Sequence, residues 1–215
     1  MTATSAPHAP HPPAAVARLG AWLQLAGGEP WWPMDPRPTD VVWRSFAASL
    51  ARTPRFGGHM AEDSPHTYSV AQHCVLVAQA VNPVPRLRLH ALLHDAHEAV
   101  IGDVPDPLQR CLHTLGGLAA LHCLRDRTDE ALWAAAGLTA PTVSEAAAIA
   151  LADARALATE RRDLLATPHQ PWVQDDQRPL PLPVPRLRPW PWTQAADEWL
   201  TLLRALLPTT ALVRG

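Results

Sequence analysis

Apolar residues recur along this chain at the three- and four-residue spacing of amphipathic helices, and nowhere alternate convincingly as a half-buried strand would. The stretch Val16 to Leu25 predicts a short helix stopped by Gly27-Gly28. Pro30-Trp-Trp-Pro-Met-Asp-Pro-Arg-Pro38 holds too many prolines for a helix or a central strand, since each removes a backbone donor. Thr39 or Asp40 can cap a helix reaching about Ala51, and Arg55 to Thr67 reads as loop. Ser69 caps a helix bearing His73, with Val70, Val77 and Ala80 near its face. Pro85 suits the first turn of the next helix, which runs through His94 and Asp95 to a stop at Gly102. The loop Asp103-Val-Pro-Asp-Pro107 opens a helix to about Arg125, with a break on offer at Gly116-Gly117. A short helix (Thr128–Ala136) follows, then a long one from Glu145 to about Leu165 behind Thr142 or Ser144.

Residues 168–191 contain eight prolines and predict an irregular or extended strap. Thr193 caps a last amphipathic helix with Trp199, Leu200, Leu203 and Leu207 on its apolar side. No repeat is visible. The class predicted is all-α, divided into a disordered lead (1–16), a core (17–167), the strap (168–191) and a C-terminal helix packed on the core (192–215).

At 215 residues the chain can bury the core of one domain. A formal charge of −2 argues against broad electrostatic attachment to nucleic acid or to an anionic membrane. All 18 basic residues are arginine, so phosphate must be met by arginine, histidine, backbone N–H or a metal, and lysine-based Schiff-base chemistry is excluded. Three cysteines (Cys74, Cys111, Cys123) make no disulfide framework. Residues 1–16 lack the basic start and apolar centre of a signal peptide, and no apolar run spans a bilayer. The expected location is the cytoplasm.

Chemistry enters where ionisable residues interrupt apolar helices. His73, the pair His94–Asp95, and Asp153 within Ile149-Ala-Leu-Ala-Asp-Ala-Arg-Ala-Leu157 all sit where the pattern expects burial. Buried ionisable groups need partners, and two imidazoles with two carboxylates suffice for one divalent transition metal with positions left open. Glu98 follows His94 by four residues and Asp95 by three, which puts a spare carboxylate on the same helical face. His90 and His97, one turn before and after, read more readily as supporting or surface residues. Cys111, His113, His122 and Cys123 could close around zinc, but their spacing matches no common zinc motif.

Tyr68-Ser-Val-Ala-Gln-His73, Ala91-Leu-Leu-His-Asp-Ala-His-Glu98, Gly102-Asp-Val-Pro105 and Leu151-Ala-Asp153 resemble the HD-domain phosphohydrolase superfamily, above all bacterial 5′-deoxynucleotidases and small phage and prophage HD hydrolases. The Trp32 to Pro36 lead, Arg55-Phe-Gly-Gly-His59 and Ala158-Thr-Glu-Arg-Arg-Asp163 look like the phage-type group, and the resemblance covers about residues 31–166. It implies an HD-domain helical bundle in which His73, His94, Asp95 and Asp153 ligate one divalent transition metal (Mn, Co, Zn, Fe or Ni). It further implies Glu98 as the catalytic acid, assisted by Asp95. Asp103 would lie near phosphate and sugar, and Arg55 and Phe56 against phosphate and deoxyribose. His59 could add a donor to phosphate. Phe56 and Gln72 stand where that family often has tryptophan and glutamate.

The implied activity is release of phosphate from deoxynucleoside monophosphates. The alternatives are a dATPase-like deoxynucleoside triphosphate triphosphohydrolase and a non-catalytic nucleotide sensor. Alarmone hydrolysis is disfavoured because Ala99 follows Glu98 where such enzymes usually carry a second acid. The expected partner is a small-molecule nucleotide, with no nucleic acid and no membrane, and the expected assembly is a homo-oligomer.

Overall fold

The computed structural model describes residues 17–61, 63–172 and 179–209, and the expectations for residues 1–16 and 210–215 lie outside them. The all-α class holds, with one exception at the start. Residues of the stretch expected to be helical instead form a two-residue strand, Leu23–Gln24 (β1), paired antiparallel with Pro30–Trp31 (β2) in the register Leu23↔Trp31. Gly28, at φ +96°, turns the chain back between them. The hairpin delivers Trp31 into the core, fully buried and edge-on to Phe46 at 5.2 Å. Burying that indole outweighs a weak local preference for helix.

Pro38–Asp40 forms a single 3₁₀ turn, and the next helix starts later than expected, at Trp43–Leu50 (α1). Asp40 accepts the Arg37 N–H and pairs with Arg18 at 2.6 Å, so it is used up before α1 begins. α1 buries Trp43, Phe46, Ala47 and Leu50, one stripe at i, i+3, i+4, i+7. Val70–Ala80 (α2) begins on Ser69, whose hydroxyl accepts the Gln72 N–H, and is buried almost all round. Pro85–Leu93 (α3) leads into a turn at residues 94–97 and then Glu98–Ile101 (α4), which ends at Gly102 with φ +87°. Ser49 of α1 donates to the Ala99 carbonyl at 2.6 Å and so fixes α4.

Asp106–Thr114 (α5) and Leu118–Ala135 (α6) are separated at Gly116-Gly117, as the sequence allows. α6 is continuous through residue 128, so the separate short helix expected there does not exist. Val143–Leu164 (α7) starts on a reciprocal cap, with Glu145 N–H to Thr142 Oγ1 and Thr142 N–H to Glu145 Oε2 at 2.8 Å. The strap carries no regular element among the described residues and leads to Trp192–Leu206 (α8), capped by Pro191 rather than Thr193. α8 packs on α1, α2 and α3, with Trp199 and Leu203 buried. No described helix is long and apolar enough to cross a membrane.

Candidate metal centre

α2, α3 and α7 meet in the middle of the bundle, and each brings ionisable side chains to that junction. His73 points inward from α2 with no exposed surface, because α2 has no solvent face at that level. His94 and Asp95 stand where α3 ends, and Asp153 faces them from α7. His73, His94 and Asp153 converge, and Asp95 lies against both imidazoles. His73 Nε2 lies 3.3 Å from His94 Nε2, 3.4 Å from Asp95 Oδ2 and 3.2 Å from Asp153 Oδ1, while His94 Nε2 lies 3.2 Å from Asp95 Oδ2.

Those separations have a chemical meaning. Two donors each ~2.1 Å from a shared ion lie about 3.0 Å apart at right angles and about 3.4 Å apart at the tetrahedral angle. A direct N–H···O⁻ hydrogen bond would be shorter, about 2.7–2.9 Å. The donor atoms are therefore spaced as the edges of a coordination shell. Both tautomers agree: His73 Nδ1 is tied to Glu160 Oε1 at 2.6 Å and His94 Nδ1 to the Ala91 carbonyl at 2.8 Å. Each ring is thereby left with an Nε2 lone pair facing the common point.

The electrostatics ask for a cation in the same place. Burial and the Arg55 guanidinium push the His73 pKa down, but Glu160, Asp153 and Asp95 outweigh them and leave it well above the ordinary histidine value. Burial pushes Asp95 up, yet His94 and His73 hold it well below the usual carboxylate range. His73, His94 and Asp153 here thus form a group that could hold a metal ion, with Asp95 against both imidazoles. Asp153, two-fifths exposed at its side chain, is the edge by which solvent reaches the group.

Glu98 lies deeper, 5% exposed, with one carboxylate oxygen in no hydrogen bond. Burial first, then Asp95 and Asp103, push its carboxyl up to about 9, against the pull of Arg55 and His73. It shares a second cluster of metal-capable groups with Asp95 and His97. Asp103 accepts the Phe56 N–H at 3.0 Å, which clasps the Arg55–Gly58 turn to the site. Phe56 is left-handed (φ 58°, ψ 25°), alone in this among the described non-glycine residues, a conformation that costs on the order of 1–3 kcal/mol. Arg55 turns inward, 3.4 Å from both Asp95 and Glu160, and these carboxylates hold its guanidinium charged against the cost of burial. His59 is exposed and its ring forms no hydrogen bond or ion pair with the described residues, so the structure does not bring it to the cluster. Cys111 and Cys123 are exposed and belong to no metal-capable group among the described residues.

Sequence reasoning missed three supporting residues. Glu160 orients His73, Asp129 holds His97 Nδ1 at 3.0 Å, and buried Tyr68 sits beside Glu160. Glu160 was reachable in principle, because it follows Asp153 by seven residues, two turns along one face of α7.

No family model matches the chain. It is 38% identical over 125 residues to the uncharacterized protein YfdR of Escherichia coli (strain K12), covering 58% of this chain and 62% of that protein. It is 37% identical over 97 residues to the uncharacterized protein RCAP_rcc00048 of Rhodobacter capsulatus, covering 43% and 48%. The chain thus spans about half to three fifths of the length of the curated relatives it matches.

Proposed function

We propose that this protein is a metal-dependent phosphohydrolase of the HD type acting on deoxynucleotides, and that it releases phosphate from deoxynucleoside monophosphates. One observation carries the reading: His73, His94 and Asp153 bring three donor atoms together, Asp95 lies against both imidazoles, and buried Glu98 stands beside Asp95. A divalent transition ion held by His73, His94, Asp95 and Asp153 would supply a water of near-neutral pKa and a polarising contact to phosphoryl oxygen.

The chain's own residues account for the rest. Asp95, beside both imidazoles, orients the nucleophile for in-line attack. Glu98 keeps its proton at neutral pH because burial and two neighbouring carboxylates disfavour its charge, so it can donate to the leaving 5′-oxygen. Arg55 neutralises the buildup of negative charge around phosphate. Phe56, pinned by Asp103, offers an apolar ring to C2′ of deoxyribose. A 2′-hydroxyl there would lose water without a partner, at a cost on the order of 1–3 kcal/mol. Arg55 is the one cationic side chain ion-paired to the cluster among the described residues, which favours a monophosphate over a triphosphate.

The test is product identity. The protein is incubated with Mn, Co, Zn or Mg and matched ribo- and deoxynucleotides, and orthophosphate, pyrophosphate and triphosphate are measured. Orthophosphate from monophosphates is expected, with a deoxy preference of about ten- to a hundredfold in kcat/KM. Triphosphate release would make it a dATPase-like enzyme, equal ribo and deoxy rates would remove the sugar selectivity, and no product with any metal would leave a sensor.

A further inference from the structure

We propose that Asp95, His97 and Glu98 form a second metal site beside the first group, and that a divalent ion bound there switches the centre off. The binding stands on its own geometry, and the silencing rests on the hydrolase reading above. One carboxylate oxygen of Asp95, one ring nitrogen of His97 and one carboxylate oxygen of Glu98 lie within 4.8 Å of one another. Two donors sharing an ion at ~2.1 Å are at most about 4.2 Å apart, so the three groups need to close by roughly half an ångström at most. His97 and Glu98 group with Asp95 and not with His73, His94 and Asp153, so a single ion does not serve them all. Asp95 faces both groups. Its Oδ2 lies against His73 and His94, and its Oδ1 makes no hydrogen bond among the described residues.

Glu98 supplies the independent sign of a missing cation. It is 5% exposed, and Oε2 is sealed without a hydrogen-bond partner. Buried polar atoms are normally satisfied, and an ion held through both carboxylate oxygens would leave neither without a partner. Oε2 alone of the two oxygens is sealed in this way, and a half-turn of the carboxylate exchanges them. His97 supplies the nitrogen donor. It is 6% exposed, and its Nδ1 is held by Asp129 at 3.0 Å, which fixes the ring and leaves the Nε2 lone pair to an ion. Glu160 holds His73 in the same manner, so the fold builds this carboxylate support twice. One imidazole with two carboxylates suits Mn²⁺, Co²⁺ or Zn²⁺. A Glu98 that has given its oxygens to an ion no longer carries the proton which the acid role requires. Turnover should therefore rise as the first ion binds and fall as the second does.

The experiment counts ions before it measures rates. The full chain is stripped of metal and dialysed against Mn²⁺ from micromolar to millimolar, as wild type, His97→Gln and Asp129→Asn. Two ions per chain are expected in the wild type, and one in His97→Gln, whose amide can still donate to Asp129. Should His97→Gln fail to fold, Asp129→Asn keeps the imidazole and should weaken the second ion alone by about 10- to 100-fold. A wild type that stops at one ion, or a His97→Gln and an Asp129→Asn that bind the second as tightly as the wild type, overturns the site. Deoxynucleotide turnover is then followed over the same Mn²⁺ range. The wild type should lose activity as the second ion binds, and His97→Gln should not. Turnover undiminished with both ions bound overturns the silencing. If nucleotides are hydrolysed and one ion alone binds, the second site falls while the hydrolase stands. If the second ion binds through His97 and no nucleotide is hydrolysed with any metal, the hydrolase and the silencing fall while the metal site stands.

Discussion

Glu160 is the residue on which the geometry of the centre turns. It has no exposed surface, and its carboxylate is shared between His73 at 2.6 Å and Arg55 at 3.4 Å. Glu160→Gln keeps the shape and an acceptor oxygen but removes the charge that makes His73 Nε2 a strong donor. Metal affinity should fall about 10- to 100-fold, the usual effect of losing such support, measured by competition with a chelator. Undiminished affinity would mean that Glu160 only fills space. Glu98→Gln should instead keep the metal and lose roughly 10²–10⁴ in kcat. The sign of its pH dependence follows from the acid role: turnover falls as pH rises through the Glu98 pKa. That limb lies at or below about 9, since an added cation can only lower the value. A rate profile in Glu98→Gln with the same alkaline limb would remove Glu98 from the proton transfer. The donors themselves were legible in sequence because each interrupts an apolar helix. His59 was less legible, because a loop histidine carries no periodicity to fix where its ring goes.

α7 shows what an element adds to its residues. Its reciprocal Thr142–Glu145 cap also reaches Arg86 of α3, with Nε to Glu145 Oε1 at 2.9 Å, so the helix start and the α3–α7 contact share one carboxylate. The Thr142 backbone N–H, aided by Arg86, pulls the Glu145 carboxyl from 4.5 down to about 2. A depressed carboxyl stabilises the fold above its unfolded pKa and loses that contribution as pH falls through the folded one. Glu145→Gln should therefore unfold at lower denaturant concentration at pH 7, and the gap to wild type should narrow between pH 4.5 and 2. A gap independent of pH would show that the cap acts through shape alone. Capping signals and glycine stops made α2, α7 and the stop at Gly102 readable from sequence, but not the turn at residues 94–97 that splits the single helix expected from Pro85 to Gly102 into α3 and α4. The β1–β2 hairpin was not readable, because what selects it is the burial of Trp31 against a helix that follows later in the chain. The continuity of α6 was missed for the related reason that Thr128, a plausible helix start, is instead buried inside it and bonds to the Leu124 carbonyl.

At the scale of the whole molecule, the proline-rich strap is stitched to the helices that build the centre. Leu182 N–H donates to Thr159 Oγ1 at 2.8 Å and Leu187 N–H to Asp163 Oδ2 at 2.9 Å, both on α7. Gln72, immediately before His73, closes the other end. Its amide donates to the Arg188 carbonyl at 2.9 Å and accepts the Trp190 N–H at 2.8 Å. Irregular backbone with few local bonds depends on such clips, since an unpaired peptide group there is costly. They also settle where α8 begins, so one buried amide couples a metal-facing helix to the C-terminal helix that covers it. Gln72→Ala deletes both bonds at once, a loss on the order of 2 kcal/mol. For a chain of this size that corresponds to a melting temperature lower by roughly 4–8 °C. The loss should be local in its dynamics: amide exchange at Trp190 should accelerate far more than at the buried α2 positions. Metal content should persist, because the four donors do not pass through Gln72. A variant in which exchange rises equally in α2 and in the strap would show that the amide supports the core itself and that the strap contributes little to holding it.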